Sequence, residues 1–330
     1  MEIKCPLCES NTKKIGNYLF NVDYDKKYFG EPNIFNCSSC NLSFVDKPPP
    51  NDLLDFYYKH IYRSEGRPHF RTSMDSINEV HYSAVNNLMI NILSNQDFSF
   101  NKGEKIKILE IGAGWGEIGK LLNNIYPNKV EIFTIEPCLQ TQSSLLDAGY
   151  KLIESNEEIE DSYLDAVISL HVLEHFAIPS DFIGLFNTKL KEKGYLYMEV
   201  PNCRFSEGFE KRIYDSPHLT FWNSESLKKL GNIFNYNLIL IYTSGVTIFE
   251  DFKYCKIWQD KFFDWTPTRK NRRSFKNYLI KYLKNLLKIF NLIGLKISRS
   301  SNFETFHNDL CSHEENNPNY WTIRTLYQKN

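Results

Sequence analysis

Two cysteine pairs near the N-terminus carry a clear chemical signal. Cys5 and Cys8 form one C-x-x-C motif, and Cys37 and Cys40 form the second. Two such pairs supply four thiolates to one tetrahedral Zn²⁺, and sites closed by four sulfurs are structural. We therefore predict a zinc-ribbon module over residues 1–50. A redox-active dithiol is the alternative, but neither pair opens the βαβ unit that thioredoxin-like proteins use.

A glycine-rich loop follows a short apolar segment and offers a second chemistry. It holds one acidic residue and three alternating glycines: Glu110, Gly112, Gly114 and Gly116. Glycine allows a sharp turn and a close ligand, and the next helix begins with free N–H groups. The loop overlaps a literal GxGxxG at residues 114–119, with Glu136 where a ribose-binding acid of a dinucleotide site would lie. A turn that binds nothing is a further alternative.

Charge favours a different cofactor at this loop. Glu110 would repel a pyrophosphate but attract the cationic amino-acid end of S-adenosylmethionine (SAM). The pattern Glu110-x-Gly112-x-Gly114-x-Gly116 resembles motif I of class I SAM-dependent methyltransferases. The resemblance implies that Glu136 accepts the ribose hydroxyls of SAM. It also implies that Ser155 and Asn156, after the third strand, contact the adenine.

The string His171-Val172-Leu173-Glu174-His175 is a literal H-x-x-E-H, the signature of inverted zinc peptidases. Such a peptidase needs the string inside a helix, whereas here it directly follows an apolar strand at residues 165–170. The string is similar to the segment after the fourth strand of class I methyltransferases. This resemblance implies that His171 lines the methyl-donor pocket, and we interpret His175 as a packed helix histidine.

The cysteine module, which ends in Phe44-Val45-Asp46-Lys47-Pro48, and the SAM motifs together resemble zinc-ribbon class I methyltransferases. Many of these are encoded with sugar and surface-glycan enzymes. Nucleotide-sugar C-methyltransferases carry I-Y-H-E-H-x-S-Y-F-S after the fifth strand, and Tyr214 and His218 follow that order here. Their spacing differs and Asp-Ser-Pro replaces the middle His-Glu, which favours methylation of oxygen. We predict Tyr214, His218 and His171 as acid/base residues.

The elements that position these residues alternate along the chain. The predicted strands are 107–111, 130–135, 150–153, 165–170, 195–200, 238–242 and 320–327, and the predicted helices are 117–125, 140–148, 182–190 and 224–232. Such alternation predicts an α/β, Rossmann-like, doubly wound parallel sheet. The predicted divisions are a zinc ribbon (1–50), a helical connector (51–98), the SAM-binding core (99–250), a basic helical insert (251–316) and the final strand (317–330).

The charge balance limits the partners. A formal charge of -1 over 330 residues excludes a general polyanion binder. A basic amphipathic helix is predicted over 269–299, where it would pack on the sheet or a sister subunit, lie on an anionic membrane, or hold nucleic acid. The sequence shows no secretory signal or membrane span, so we expect a cytoplasmic protein. Under the membrane alternative, the basic helix would hold the protein at the inner face of the membrane.

The sequence thus predicts a SAM-dependent methyltransferase with structural zinc that O-methylates a sugar, either nucleotide-linked or glycan-attached. Three alternatives stay open: an RNA methyltransferase with a zinc module, a C-methyltransferase of a deoxysugar nucleotide, and an inactive assembly subunit. A homodimer is compatible with each of them.

Overall fold

The structure is a computed structural model of the 330-residue chain. It describes residues 2–18, 23–63, 85, 87–89, 91–93, 104–203, 218–244 and 322–330. The predictions for Tyr214 and for the basic helix at 269–299 lie outside these residues. Within the described part, no helix has the length and apolar content that a bilayer crossing requires.

Eleven strands and six α-helices are labelled here in the described residues. The strands are β1 (Thr12–Asn17), β2 (Asn33–Cys37), β3 (Ser43–Val45), β4 (Ile106–Ile111), β5 (Val130–Ile135), β6 (Tyr150–Leu152), β7 (Leu164–Leu170), β8 (Leu190–Pro201), β9 (Thr220–Phe221), β10 (Tyr236–Ser244) and β11 (Thr322–Lys329). The helices are α1 (Asp23–Phe29), α2 (Asn51–Phe56), α3 (Glu117–Ile125), α4 (Gln142–Asp147), α5 (Pro179–Gly184) and α6 (Ser224–Ile233). A π-helical turn, Tyr57–Ile61, continues α2.

A seven-stranded sheet forms the centre of the fold, in the order β10-β11-β8-β7-β4-β5-β6. Strands β4 to β8 pair in parallel, which confirms the predicted α/β, Rossmann-like architecture. The prediction of a wholly parallel sheet is wrong at β11, which runs antiparallel to both neighbours. Thr322 pairs with both Ser244 and Pro201, so the chain leaves β10 and re-enters β11 at the same sheet edge. A strand that starts at the edge where its neighbours end must run the opposite way.

The helix predicted over 182–190 is also placed wrongly. The helix α5 begins at Pro179 and ends at Gly184, and Leu190 is already the first residue of β8. Proline suits the first helical position because its missing N–H has no partner there. The apolar residues near 186–190 therefore lead into a buried strand rather than extend the helix.

The core lies on both faces of the central sheet. Along β7, Val167 belongs to one buried cluster and its neighbours Ala166 and Ile168 to the other. On β4, Leu109 and Ile108 divide in the same way. Successive strand residues face opposite sides, so a strand buried on both faces reads as an unbroken apolar run. The carboxyl ends of β4, β5 and β7 are thereby fixed side by side.

A second, four-stranded sheet has the order β1-β2-β3-β9. Strand β9 comes from the chain that follows β8, and its Phe221 pairs with Ser43 of β3. The Val45 amide also donates to the Leu219 carbonyl at 3.0 Å. The sheet of the cysteine module is thus completed by residues far along the sequence.

Candidate functional site

The glycine loop joins β4 to α3 in backbone conformations that favour glycine. The φ angles are 69° at Gly112, 57° at Gly114 and 80° at Gly116. A side chain in this left-handed region is strained. A Cβ at Gly112 would also lie 2.5 Å from Cγ2 of Val172. The loop therefore leaves room for a close neighbour, and it lies against the segment that follows β7.

Glu110 lies beneath this loop and is only 3% exposed. Its carboxylate accepts a hydrogen bond from the Tyr150 hydroxyl, which accepts one from the Gly119 amide at 2.7 Å. The pKa of Glu110 is raised to about 8: burial is the main cause, the Tyr150 hydrogen bond opposes it, and the carboxylates of Glu117 and Glu136 act in the same direction as burial. A Cβ at Gly119 would lie 2.1 Å from the Tyr150 ring, so packing accounts for the last glycine of the GxGxxG string.

Glu136 follows β5 and reaches the glycine loop. Its Oε2 accepts from the Gly114 amide at 2.7 Å, and its Oε1 accepts from the Cys138 amide at 2.9 Å. The structure thus brings Glu136 beside Gly114, as a shared cofactor pocket requires. Each carboxylate oxygen keeps a second lone pair for a ligand hydroxyl. Its contact with a ribose stays a prediction.

Arg63 also reaches the glycine loop, although no sequence motif indicates it. Its guanidinium carbon lies 5.9 Å from the Trp115 ring centroid and 5.3 Å from that of Tyr62. A Cβ at Gly114 would lie 2.9 Å from its Nη2. Arg63 belongs to no motif and lies far before the loop, so only the fold shows this contact. A guanidinium here suits a carboxylate ligand, which it can bind through paired hydrogen bonds.

Ser155 and Asn156 lie just after β6, as predicted, where they begin a short 3₁₀ turn. The Ser155 hydroxyl accepts from the Glu157 amide and caps this turn. The Asn156 side chain donates to the Gly184 carbonyl at 3.1 Å. Both side chains therefore have structural roles here, and their contact with adenine stays a prediction.

The segment after β7 brings a carboxylate among three imidazoles. Its first residue, His171, has a φ of 55°, and Leu173–His175 forms a 3₁₀ turn rather than the α-helix in which we placed His175. Glu174 is 1% exposed, and its Oε1 lies 3.5 Å from Nδ1 of His171. Burial lowers the pKa of His171, but Glu174 raises it more, so the pKa lies above its usual value. For Glu174, burial raises the pKa, but His171, His175 and His218 together lower it.

His218 joins this group from the segment just before β9, the strand that completes the ribbon sheet. Its Nε2 lies 4.0 Å from Oε1 of Glu174, and its ring centroid lies 5.1 Å from that of His175. The backbone fixes the approach, since the Leu219 amide donates to the Glu174 carbonyl at 2.8 Å. Two of the predicted acid/base residues, His171 and His218, are therefore brought to one carboxylate. Glu174 is not among the predicted site residues. The one sequence feature that pointed to it is the H-x-x-E-H string.

The four cysteines of the N-terminal module meet at the knuckles of the ribbon sheet. The Sγ atoms of Cys5 and Cys40 lie 3.6 Å apart, and those of Cys8 and Cys37 lie 3.5 Å apart. All four sulfurs lie within 4.8 Å of one another. Zinc–sulfur bonds of about 2.3 Å in a tetrahedron place sulfurs about 3.8 Å apart. The donor set therefore fits a structural zinc ion.

Comparison with known proteins bears on the domain that carries the glycine loop. Residues 88–241, just under half of the chain, match a family described as "Methyltransferase domain". No curated protein sequence matches the chain. The family match covers the glycine loop, Glu136 and the segment after β7. Residues 88–241 are therefore similar to a methyltransferase domain, in agreement with the class of enzyme that the loop predicts.

Solved structures of methyltransferases are similar at low identity. A putative sarcosine dimethylglycine methyltransferase from Galdieria sulphuraria is 13% identical, with 76% of this chain and 85% of that chain covered and a TM-score of 0.42. A SAM-dependent methyltransferase from Archaeoglobus fulgidus is 14% identical, with 76% and 94% covered and a TM-score of 0.42. Phosphoethanolamine N-methyltransferase 2 from Haemonchus contortus is 12% identical, with 97% and 68% covered and a TM-score of 0.44. Likenesses of this size do not identify an acceptor.

Proposed function

We propose that the methyltransferase domain transfers the methyl group of SAM to an oxygen of a sugar, either nucleotide-linked or glycan-attached. The observation that carries the proposal is the group of His171 and His218 around buried Glu174, beside the glycine loop. When bound, SAM supplies a methyl carbon that its sulfonium already activates. Positioning then provides most of the catalysis, and a hydroxyl acceptor needs a base to take its proton. An imidazole serves this purpose near neutral pH.

The residues around the loop offer groups that are complementary to the methionine portion, the ribose and the adenine of SAM. Arg63 is available to the carboxylate of the methionine portion because it carries the opposite charge. Glu110 has a pKa of about 8 in the free protein, so in this proposal it loses its proton when the ammonium group binds beside it. Glu136 accepts from the ribose hydroxyls through the lone pairs that the Gly114 and Cys138 amides leave open. In the same proposal, Ser155 and Asn156 contact the adenine.

In the same proposal, Cys5, Cys8, Cys37 and Cys40 hold a structural zinc ion. Support comes from the sulfur–sulfur distances of 3.5 and 3.6 Å. A site closed by four thiolates leaves no open position for a substrate, so the ion would stabilise the fold rather than react.

The sugar assignment rests on the resemblance of the zinc-ribbon and SAM motifs to sugar and glycan methyltransferases. The segment that ends in His218 departs from the C-methyltransferase pattern, which favours oxygen over carbon. Among the proposed acid/base groups, His171 and His218 lie at Glu174. Tyr214 stays a candidate from the sequence.

Calorimetric titration with S-adenosylhomocysteine, in parallel with NAD, tests the cofactor. We expect micromolar binding of S-adenosylhomocysteine that Glu136→Ala abolishes. Glu131→Ala, at the other end of β5, serves as the matched control and should bind as the unmodified protein does. Binding of NAD alone would overturn the proposal and indicate an oxidoreductase.

The acceptor is tested by incubating the protein and SAM with nucleotide sugars, glycan oligosaccharides and RNA. Mass spectrometry detects the added methyl group, and NMR identifies the atom that carries it. We expect an O-methyl sugar. Methylated RNA alone, or a methyl group on a sugar carbon, would replace the proposed reaction with one of the alternatives.

A further inference from the structure

Three side chains around the turn after β7 have the composition and spacing of a metal site. Glu174, His175 and His218 each offer one ligand atom, and these atoms lie within 4.8 Å of one another. The residues come from two segments, one after β7 and one before β9. The bond from the Leu219 amide to the Glu174 carbonyl, 2.8 Å long, holds the segments together.

The burial of Glu174 gives an independent indication that a cation belongs here. The side chain is 1% exposed, yet neither carboxylate oxygen has a hydrogen-bond partner among the residues that the structure describes. The imidazole nitrogens of His171 and His218 lie 3.5 and 4.0 Å from Oε1, which is within ion-pair range but longer than a good hydrogen bond. A buried carboxylate without such partners is costly unless a cation or metal compensates it. Two ligands of one ion likewise stand apart, as Nε2 of His218 and Oε1 of Glu174 do, because each bonds the metal and not the other.

We propose that Glu174, His175 and His218 bind one divalent transition-metal ion on the acceptor side of the cofactor loop. Two imidazoles and one carboxylate suit Zn²⁺, Fe²⁺, Co²⁺ and related ions, whereas Mg²⁺ and Ca²⁺ prefer sites built from oxygen ligands. Three protein ligands leave further positions open, as catalytic metal sites require. The cysteine cluster, by contrast, is closed by its four sulfurs.

The chemical role of this ion rests on the proposed function. An acceptor hydroxyl that binds an open position would have its pKa lowered by the metal. Its proton would pass to His171, whose Nδ1 lies 3.5 Å from Oε1 of Glu174. The acceptor oxygen would then form a bond to the methyl carbon while the carbon–sulfur bond breaks and sulfur keeps the electron pair. In this arrangement His218 is a ligand, and His171 is the base.

Titration of the zinc-loaded, full-length protein with Co²⁺ tests the site directly. The protein is loaded with only one equivalent of Zn²⁺ per chain, which the four thiolates bind in preference to two imidazoles and a carboxylate, so added Co²⁺ reports the second site. We expect one Co²⁺ per chain, with weak visible absorption and without the intense thiolate-to-cobalt band of a sulfur site. Glu174→Gln and His218→Gln should each weaken this binding at least tenfold. His60→Gln, which changes an exposed histidine outside the cluster, should leave it unchanged.

Binding of S-adenosylhomocysteine by the same variants shows that each remains folded. If Glu174→Gln does not fold, His175→Gln replaces it, because His175 is only half-buried. Absence of Co²⁺ binding by the unmodified protein, or equal binding by the folded cluster variants, would overturn the metal site. Failure of the proposed function gives a different result: Co²⁺ binds, but no sugar is methylated.

Discussion

Glu110→Gln should stabilise the ligand-free protein relative to the unmodified protein, by an amount that grows as the pH rises. Glu110 is 3% exposed, and burial raises its pKa from the ordinary value of 4.5 to about 8. Above pH 4.5 the unfolded chain loses this proton, while the folded protein keeps it up to about pH 8. Since the folded state binds the proton more tightly, its stability falls as the pH rises through this window. The glutamine has no proton to lose and keeps an oxygen that can accept from Tyr150.

The size of the effect follows from the two pKa values. One pKa unit corresponds to about 1.4 kcal/mol, so the full shift disfavours the folded protein by roughly 5 kcal/mol above pH 8. Between pH 5 and pH 8 the free energy of unfolding of Glu110→Gln should rise relative to the unmodified protein by about 3 kcal/mol. A constant offset from the substitution itself does not alter this difference.

Urea unfolding followed by tryptophan fluorescence at pH 5, 6, 7 and 8 measures the difference. Glu131→Gln is the control: Glu131 is partly buried, but its ion pair with Lys151 lowers its pKa. A carboxylate with a lowered pKa contributes stability that is lost only as the pH falls, so Glu131→Gln should run parallel to the unmodified protein over this range. Parallel curves for Glu110→Gln as well would refute the reasoning. The same variant should bind S-adenosylhomocysteine more weakly if Glu110 faces the ammonium group.

Three further substitutions separate the parts of the site. Arg63→Met should weaken S-adenosylhomocysteine binding by at least tenfold, since a hydrogen bond to a charged group contributes about 1.5–3 kcal/mol; calorimetry measures this, and equal loss in Lys59→Met would contradict it. Gly112→Ala should also weaken binding, because its methyl group would lie 2.5 Å from Cγ2 of Val172. Adding Val172→Ala to this variant should restore part of the binding. No restoration would show that backbone strain alone is responsible. Cys37→Ser should lower the zinc content from one ion per chain and raise hydrogen exchange in β9, and full zinc retention would contradict the four-sulfur site.

The elements that could be predicted from the sequence are those in which burial of one or both faces imposes a clear apolar pattern on the element's own residues. The predicted bounds of 117–125 and 130–135 agree with α3 and β5. Their apolar periodicity is strong, and glycine or charged residues bound them. The glycine loop and Glu136 could be brought together from sequence because carboxyl ends of neighbouring parallel strands share one sheet edge.

What could not be predicted depends on contacts between distant segments. The alternation of apolar residues in β11 is the same in either direction, so it gave no hint that the strand runs antiparallel. Arg63 belongs to no motif and acquires its role only where the chain before β4 folds back to Gly114. Glu174 could be predicted neither as a site residue nor as a buried one. Its burial and its contact with His218 arise only where the segment after β7 meets the segment before β9.

The cysteine module contacts the segment that carries His218 through β9 and Tyr18. Residues Ser43 and Phe44 pair with β9, and the His218 amide donates to the Tyr18 hydroxyl at 3.2 Å. The ribbon sheet therefore sets the position of His218 relative to Glu174. The glycine loop, in contrast, is built on β4 and packs against Tyr150 and Val172, which are not part of the ribbon. Loss of zinc should consequently raise the KM for the acceptor or lower kcat while the affinity for S-adenosylhomocysteine stays nearly constant.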